Sequence, residues 1–420
     1  MAVYQIFTSA DATIYSRYPL KNTGRDPILE VSAKNSQDGT RFLYRNPLTE
    51  NPYYNYDLAA AGNYTTTDEF FAQLDVRRAL LQFSPADIAK IKAFALSAVS
   101  GSWQANLRLY LASAQNLNTT YSLETYPISQ SWVMGTGQYA QVPESRNGVS
   151  WDYTGPAYNS TPWAVTGSTY ITAVSGSQFF DYMSNKDINM DVTDVVSTWF
   201  SYPSPFVYST LTDLITTESS NILETETGDD LAAVDPAGYP NYGVVVKHPD
   251  AIEFNTASYV DLKFFSVDTH TIYPPNIEFK WDDTVYGPTG SWSVATNDQI
   301  TIVLANNPGQ FKQNQVYKVR TAVRDTYPPR QFTTSSVYLN QLYLPPTSYW
   351  ALQDYKTEEM IVDFDTTYTR LSADTTSNYF TLYTSGLEVN RFYKLLIKTV
   401  LSSGEEVIYT NENLIFKVVE

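Results

Sequence analysis

Apolar and polar residues alternate along most of this 420-residue chain. Asn106-Leu-Arg-Leu-Tyr-Leu111 would set Leu107, Leu109 and Leu111 on one face of a strand, because successive side chains of an extended backbone point to opposite sides. Tyr242-Gly-Val-Val-Val-Lys247 and Tyr259-Val-Asp-Leu-Lys-Phe-Phe265 are short apolar runs bounded by turn residues. Val316-Tyr-Lys-Val-Arg-Thr-Ala-Val323 and Phe392-Tyr-Lys-Leu-Leu-Ile-Lys-Thr-Val400 are longer strands of the same kind. Helical signal is confined to two places. Ser84-Pro-Ala-Asp-Ile-Ala-Lys-Ile-Lys92 opens with an N-cap serine and a proline at the first helical position. Further on, Val192, Val195, Val196 and Trp199 recur at helical spacing, with Asp191 or Thr193 as the expected cap. Alternating βαβ architecture would need a helix after nearly every strand. The pattern therefore predicts an all-β protein: an N-terminal jelly-roll-like β-sandwich with one or two short helices, then one or two immunoglobulin-like β-sandwiches.

Three stretches carry little pattern and read as long loops: residues 45–68, 138–178 and 216–240. A Gly/Pro/Thr-rich turn after Trp281, in Asp282-Asp-Thr-Val-Tyr-Gly-Pro-Thr-Gly290, suggests domains at 1–281 and 282–420. Within the second, Asn314-Gln-Val-Tyr-Lys318 is echoed by Asn390-Arg-Phe-Tyr-Lys394. Their separation is about one small immunoglobulin-like domain, so this region reads either as two units, near 283–345 and 346–420, or as one larger sandwich with two equivalent strands.

Composition narrows the chemistry. Lys and Arg number 27 against 44 Asp and Glu, a formal charge of −17, which disfavours nucleic-acid binding because no basic excess exists to displace phosphate counterions. There is no cysteine, so disulfides, thiolate metal sites and cysteine nucleophiles are excluded. The opening Met1-Ala-Val-Tyr-Gln-Ile-Phe7 lacks a basic segment before an apolar run, and no apolar run approaches the roughly 18 residues that span a bilayer. The expectation is cytoplasmic synthesis and no membrane partner. His248 and His270 are the only histidines and neither has a second histidine at ligand spacing. Carboxylates for glycosidase-type chemistry reduce to Asp152, Asp191 with Asp194, and Glu278, and the Asp191/Asp194 pair is better explained by the start of a helix. No catalytic residue, cofactor or resident metal is therefore expected. The acidic segment 216–240 offers oxygen ligands for Ca²⁺, although its irregular spacing suits a solvated loop. Trp132, Trp151 and Trp163 lie in Tyr-rich polar loops, where they suit sugar stacking or a protein interface. The other reading is that they plug the sandwich core beneath those loops.

Several motifs come in an order that resembles the DNRLRE-type domains, β-sandwiches related to carbohydrate-binding modules. They are Asp11-Ala-Thr-Ile-Tyr-Ser16, Asn22-x-Gly-x-Asp-Pro27, Arg78-Ala-Leu-Leu-Gln-Phe83, Ser131-Trp-Val-Met-Gly-Thr-Gly137, Gly148-Val-Ser-Trp151, Asp191-Val-Thr-Asp-Val-Val196 and Tyr242-Gly-Val-Val-Val-Lys247. The resemblance covers roughly 1–281 and implies the fold; the ligand site of the family is not carried over, because the loops at 45–68 and 216–240 are longer than the family implies. The whole chain, cysteine-free and rich in Tyr, Thr and Asn, looks like virion proteins of tailed bacteriophages. That likeness implies a structural role in tail, baseplate, neck or fibre attachment, with other virion proteins and self-copies in a symmetric assembly as partners. It also implies assembly in the host cytoplasm. A host glycan is a further expected partner, and a secreted or surface carbohydrate-binding protein the alternative.

Overall fold

The computed structural model describes residues 2–35, 74–94, 103–115, 117, 120–181, 183–202, 238–253, 260–290, 292–305, 307–328, 341–410 and 414–420. These residues form an all-β protein of largely antiparallel sheets, with three short α-helices among them. Contacts divide the chain into two compact units, one of residues 8–92 and 106–275, the other of 1–7, 93–105 and 276–420. The division differs from a single cut after Trp281. Its cause is the first strand, β1 (Ala2–Tyr15), whose early residues pair with the strand Asn276–Trp281 while its later ones pair with Leu74–Phe83.

In the first unit, β1 is followed by β2 (Ile28–Asn35), β3 (Leu74–Phe83), the end of β4 (Trp103–Leu109), β5 (Leu111–Gln115), β6 (Thr120–Pro127), β7 (Gly176–Asp181), β8 (Ile188–Asp191), β9 (Val244–Lys247) and β10 (Val260–Phe265). Strand β3 is central, and Ala79, Leu80, Leu81 and Phe83 are all buried, as expected of a strand covered on both faces. It takes β1 along one edge, with Thr13 opposite Ala79. Along the other edge it takes β2 near its start, with Ser32 opposite Arg77, and β9 further on, with Leu80 opposite Val245. The sheet thus forks into β2-β10-β5 and β9-β6-β7.

Helix α1 (Pro85–Phe94) starts as the sequence predicts, with Ser84 Oγ accepting the Asp87 N–H at 3.3 Å. Helix α2 (Thr193–Ser201) buries Val195, Val196 and Trp199, and Trp199 lies 6.4 Å from the Phe83 ring. Its cap differs from expectation. Val192 occupies the N-cap without a side-chain bond, and Asp191, one residue earlier, accepts from Thr193 N at 2.9 Å and Thr193 Oγ1 at 2.6 Å. A third helix, α3 (Asp250–Glu253), is a single turn. Leu107 and Leu109 are buried as expected, but the strand breaks at Tyr110, so Leu111 opens β5 half-buried and does not share their face.

In the second unit β1 pairs antiparallel with β11 (Asn276–Trp281), Ala2 facing Trp281. After it come β12 (Ile300–Ala305), β13 (Gln310–Lys312), β14 (Val316–Asp325), β15 (Gln341–Leu342), β16 (Ser348–Asp354), β17 (Met360–Val362), β18 (Ser372–Ala373), β19 (Asn378–Tyr383), β20 (Phe392–Val400), β21 (Glu406–Tyr409) and β22 (Ile415–Val419). One sheet runs β12-β14-β19-β18 with β15 beside β14; the other runs β13-β22-β20-β16-β17 with β21 beside β20. Strand β13 is parallel to β22. This is an immunoglobulin-like strand order, and both sheets share one core that includes Ile302, Val323, Trp350, Phe380, Leu395 and Phe416. Each sheet takes strands from both sides of residue 345, so two units at 283–345 and 346–420 are ruled out.

The sequence echo has a local cause. Asn314 and Asn390 both adopt left-handed backbone, at φ 58° and 65°, a conformation Asn tolerates better than most residues. Each turns the chain into a long strand, and the tyrosine three positions on reaches back across the turn. Tyr317 Oη accepts from Lys312 N at 2.9 Å, and Tyr393 Oη accepts from Glu388 N at 2.8 Å, both five residues back. The second is the tyrosine corner of immunoglobulin-like domains. Where such a domain often has a disulfide, the residues two positions after these tyrosines, Val319 and Leu395, are buried and apolar. Trp350 stacks on Phe380 with centroids 4.6 Å apart, so aromatic packing fills the space between the sheets.

Tyr393→Phe removes the acceptor for a backbone N–H while leaving the ring in place. The expected loss is about 1–2 kcal/mol, read as a lower urea midpoint at unchanged m-value. Tyr317→Phe is expected to cost a similar amount.

Candidate functional site

Residues 128–171 cross one face of the first unit with little regular pairing; Ile128 bridges Tyr170, and Tyr153 bridges Pro162. Irregular backbone over a core has to find hydrogen-bond partners outside any ladder. Tryptophan supplies both needs at once, an apolar ring and one N–H. Trp132, Trp151 and Trp163 pack together with Ala12, Ile14, Val76, Leu80 and Val245 beneath the loop. Trp132 Nε1 donates to Tyr242 O and Trp163 Nε1 to Ser150 O, each at 2.9 Å. Their exposures are 5%, 2% and 0%. The structure therefore brings the three sequence candidates together but turns their rings inward, and they form no exposed stacking platform.

A second set of quoted motif residues converges on Asn22, which is fully buried. Its Nδ2 donates to Met134 O at 2.7 Å and Val149 O at 2.9 Å, and its Oδ1 accepts from Gly137 N at 2.8 Å. Asn22 thus ties together segments that are far apart in the sequence. Gly135 lies against it with φ +77°, and a Cβ there would fall 2.4 Å from Asn22 Oδ1. Side chains are excluded at that point by both backbone conformation and space.

Under the same loop lies a buried ionic cluster. Arg78 Nε and Nη2 donate to the two carboxylate oxygens of Glu253 at 3.0 and 2.6 Å, and Arg78 Nη1 donates to Gly167 O at 2.6 Å. Lys247 Nζ lies 2.6 Å from Asp250 Oδ1 and 3.5 Å from Glu253 Oε2. Aromatic faces complete the enclosure. The guanidinium is 5.1 Å from the Trp151 ring, and Tyr170 sits near both cations, 5.9 Å from Arg78 and 5.6 Å from Lys247. Burial alone would pull the Arg78 guanidinium down, but the Glu253 carboxylate more than offsets this and holds it above its ordinary range. His248 beside it is pushed down to about 4 by burial, against the opposing pull of Glu253, and is neutral at physiological pH. Sequence reading singled out Trp151 and His248 but not this pairing, because Glu253 and Arg78 lie 175 residues apart.

Asp11 is the other buried acid that stands out. Burial raises its carboxyl to about 7, only partly countered by the Val267 N–H donating to Oδ2 at 2.8 Å, and Asp268 adds to the rise. Two of the other carboxylates considered for catalysis make structural contacts, and Asp194 is exposed. Asp191 holds Thr193, and Glu278 pairs with Lys280 at 2.9 Å. Asp152 is buried, with its backbone N–H on Pro19 O and its carbonyl accepting from Trp163 N. Among the described residues no group of three or more His, Asp or Glu side chains is arranged to hold a metal ion. The loop 45–68 and residues 216–237 of the acidic segment considered for Ca²⁺ lie outside the described residues.

Two outcomes test this account. Arg78→Met leaves the buried Glu253 carboxylate with only the longer Lys247 contact and is expected to cost about 3–5 kcal/mol in denaturant unfolding; adding Glu253→Met should recover part of that loss. For Asp11 the native state holds its proton more tightly than the unfolded chain, so its contribution is intact below about pH 4 and is lost as pH rises through about 7. Asp11→Asn should therefore gain on the parent protein between pH 5 and pH 8, by about 2–4 kcal/mol at the upper end, in thermal or urea unfolding.

Neither a family model nor a curated protein matches this sequence.

Proposed function

We propose that this chain is a non-catalytic structural protein of a tailed-bacteriophage virion, from the tail, baseplate, neck or fibre-attachment region. It works through contacts with other virion proteins and with copies of itself, after assembly in the host cytoplasm. The observation that carries the reading is where the reactive side chains sit. Arg78 and Lys247 are paired with Glu253 and Asp250 in the first unit, His248 is enclosed, and the three loop tryptophans face the core. These charged and aromatic groups hold loops to a sandwich, which supports a structural reading. The acidic, cysteine-free composition supports the same reading, since it suits a protein made and assembled at high local concentration in a reducing compartment. So does the motif order in 1–281 that resembles DNRLRE-type sandwiches.

Binding of a host glycan has less support. One partly exposed aromatic pair among the described residues is Tyr18 with Tyr139, the latter 37% exposed, and there the Lys21 ammonium already lies 4.9 and 4.5 Å from the two ring centroids.

Mass spectrometry of particles purified from the producing host is the test. The chain should be present at a fixed stoichiometry to the other virion proteins; particles that are complete without it would overturn the proposal. A glycan array showing binding that is lost on Tyr139→Ala would favour recognition instead.

A further inference from the structure

The outer face of the second sheet of the immunoglobulin-like unit carries a charge opposite to that of the protein. Strands β22, β20 and β16 alternate in register, so Phe416, Tyr393, Leu395, Ile397, Trp350 and Leu352 point into the core and their neighbours point out. Among the outward residues, Phe392 stands opposite Lys417 and Lys394 opposite Ile415. The parallel strand β13 adds Lys312 to the same face, because its neighbour Phe311 points inward beside Val418. Lys398 follows Lys394 along β20 and stands opposite Ile408 of β21.

The charges on this face are unbalanced. Lys398 reaches Glu406 at 3.6 Å, but Lys312, Lys394 and Lys417 have no carboxylate partner among the described residues. Phe392, opposite Lys417, and Ile408, opposite Lys398, are each 51% exposed. Exposed apolar residues beside unpaired cations suit a partner that brings carboxylates. The chain carries a formal charge of −17, so apart from these lysines it is more acidic still.

We infer that this face docks on an acidic surface of a second copy of the same chain. A face-to-face, two-fold contact would set Lys312, Lys394 and Lys417 against themselves, and like charges across an interface are strongly unfavourable. The contact is therefore heterologous: the basic face of one copy meets a different, acidic surface of the next. Contacts of that kind close into rings or continue as open arrays. The inference rests on the assembly reading above and adds to it the surface and the charge that join successive copies.

The test is analytical ultracentrifugation of the full chain over a range of concentrations, at about 20 mM and about 0.5 M NaCl, where screening lengths differ severalfold. The parent protein should show a concentration-dependent rise in sedimentation coefficient at low salt that disappears at high salt. The triple variant Lys312→Glu, Lys394→Glu, Lys417→Glu should associate at least tenfold more weakly, while Lys356→Glu, a reversal at an exposed position in the turn after β16, should associate like the parent. Circular dichroism melting of each variant checks that the sandwich is intact. A parent protein that stays monomeric at low salt overturns the inference, as does association that the triple variant leaves unchanged. Retention on dextran sulfate without self-association also overturns it and indicates an anionic polymer as the occupant. None of these failures removes the chain from purified particles, so the broader proposal is judged separately by mass spectrometry.

Discussion

A loop laid across a sheet gives up the ladder that would satisfy its backbone, and the first unit is organised around that constraint. Each buried N–H and C=O of residues 128–171 left without a partner would cost roughly 1–3 kcal/mol. The chain meets the demand with side chains from distant segments and from the loop itself. Asn22 serves Met134, Gly137 and Val149, Arg78 serves Gly167, and two indole N–H groups serve Tyr242 and Ser150. Burying Arg78 for this purpose creates a second demand, a counter-charge, which Glu253 supplies beneath the loop, while Lys247 beside Glu253 pairs with Asp250. Trp151, the aromatic face over the guanidinium, in turn leaves no room for a side chain at Gly167, where a Cβ would fall 2.6 Å from the indole.

Much of the fold was legible because it depends on local pattern. Alternation marked the strands, and the 3.6-residue spacing of Val192, Val195, Val196 and Trp199 marked α2 with the correct buried face. The resemblance between residues 314–318 and 390–394 was real as well, but its meaning was not. It reports two equivalent turn-to-strand corners in one sandwich, and identical local geometry arises whether the corners belong to one domain or two. Only the pairings that cross residue 345, β14 with β19 and β13 with β22, separate those cases.

What sequence could not disclose is long-range. Trp132, Trp151 and Trp163 sit among polar neighbours, as exposed binding residues do, and nothing local says which way a ring turns. Their inward orientation follows from hydrogen-bond acceptors supplied by segments such as Tyr242, 110 residues away from Trp132. The Arg78–Glu253 pair is hidden for the same reason. Likewise the surplus of lysine on one sheet face emerges only when β13, β20 and β22 are laid side by side, since along the chain those residues are scattered through an acidic sequence.

The pairing of β1 with β11 sets a timetable for synthesis. Trp281, the strand partner of Ala2, is translated only after the whole stretch between them has been made. At ordinary elongation rates of about 5–20 residues per second, the early half of β1 waits roughly 15–55 s on the ribosome before that partner can reach it. The later half is served much sooner, since β3 ends at Phe83. A single strand therefore ripens from its C-terminal end backwards, its earlier-made half being the later to be fixed in place.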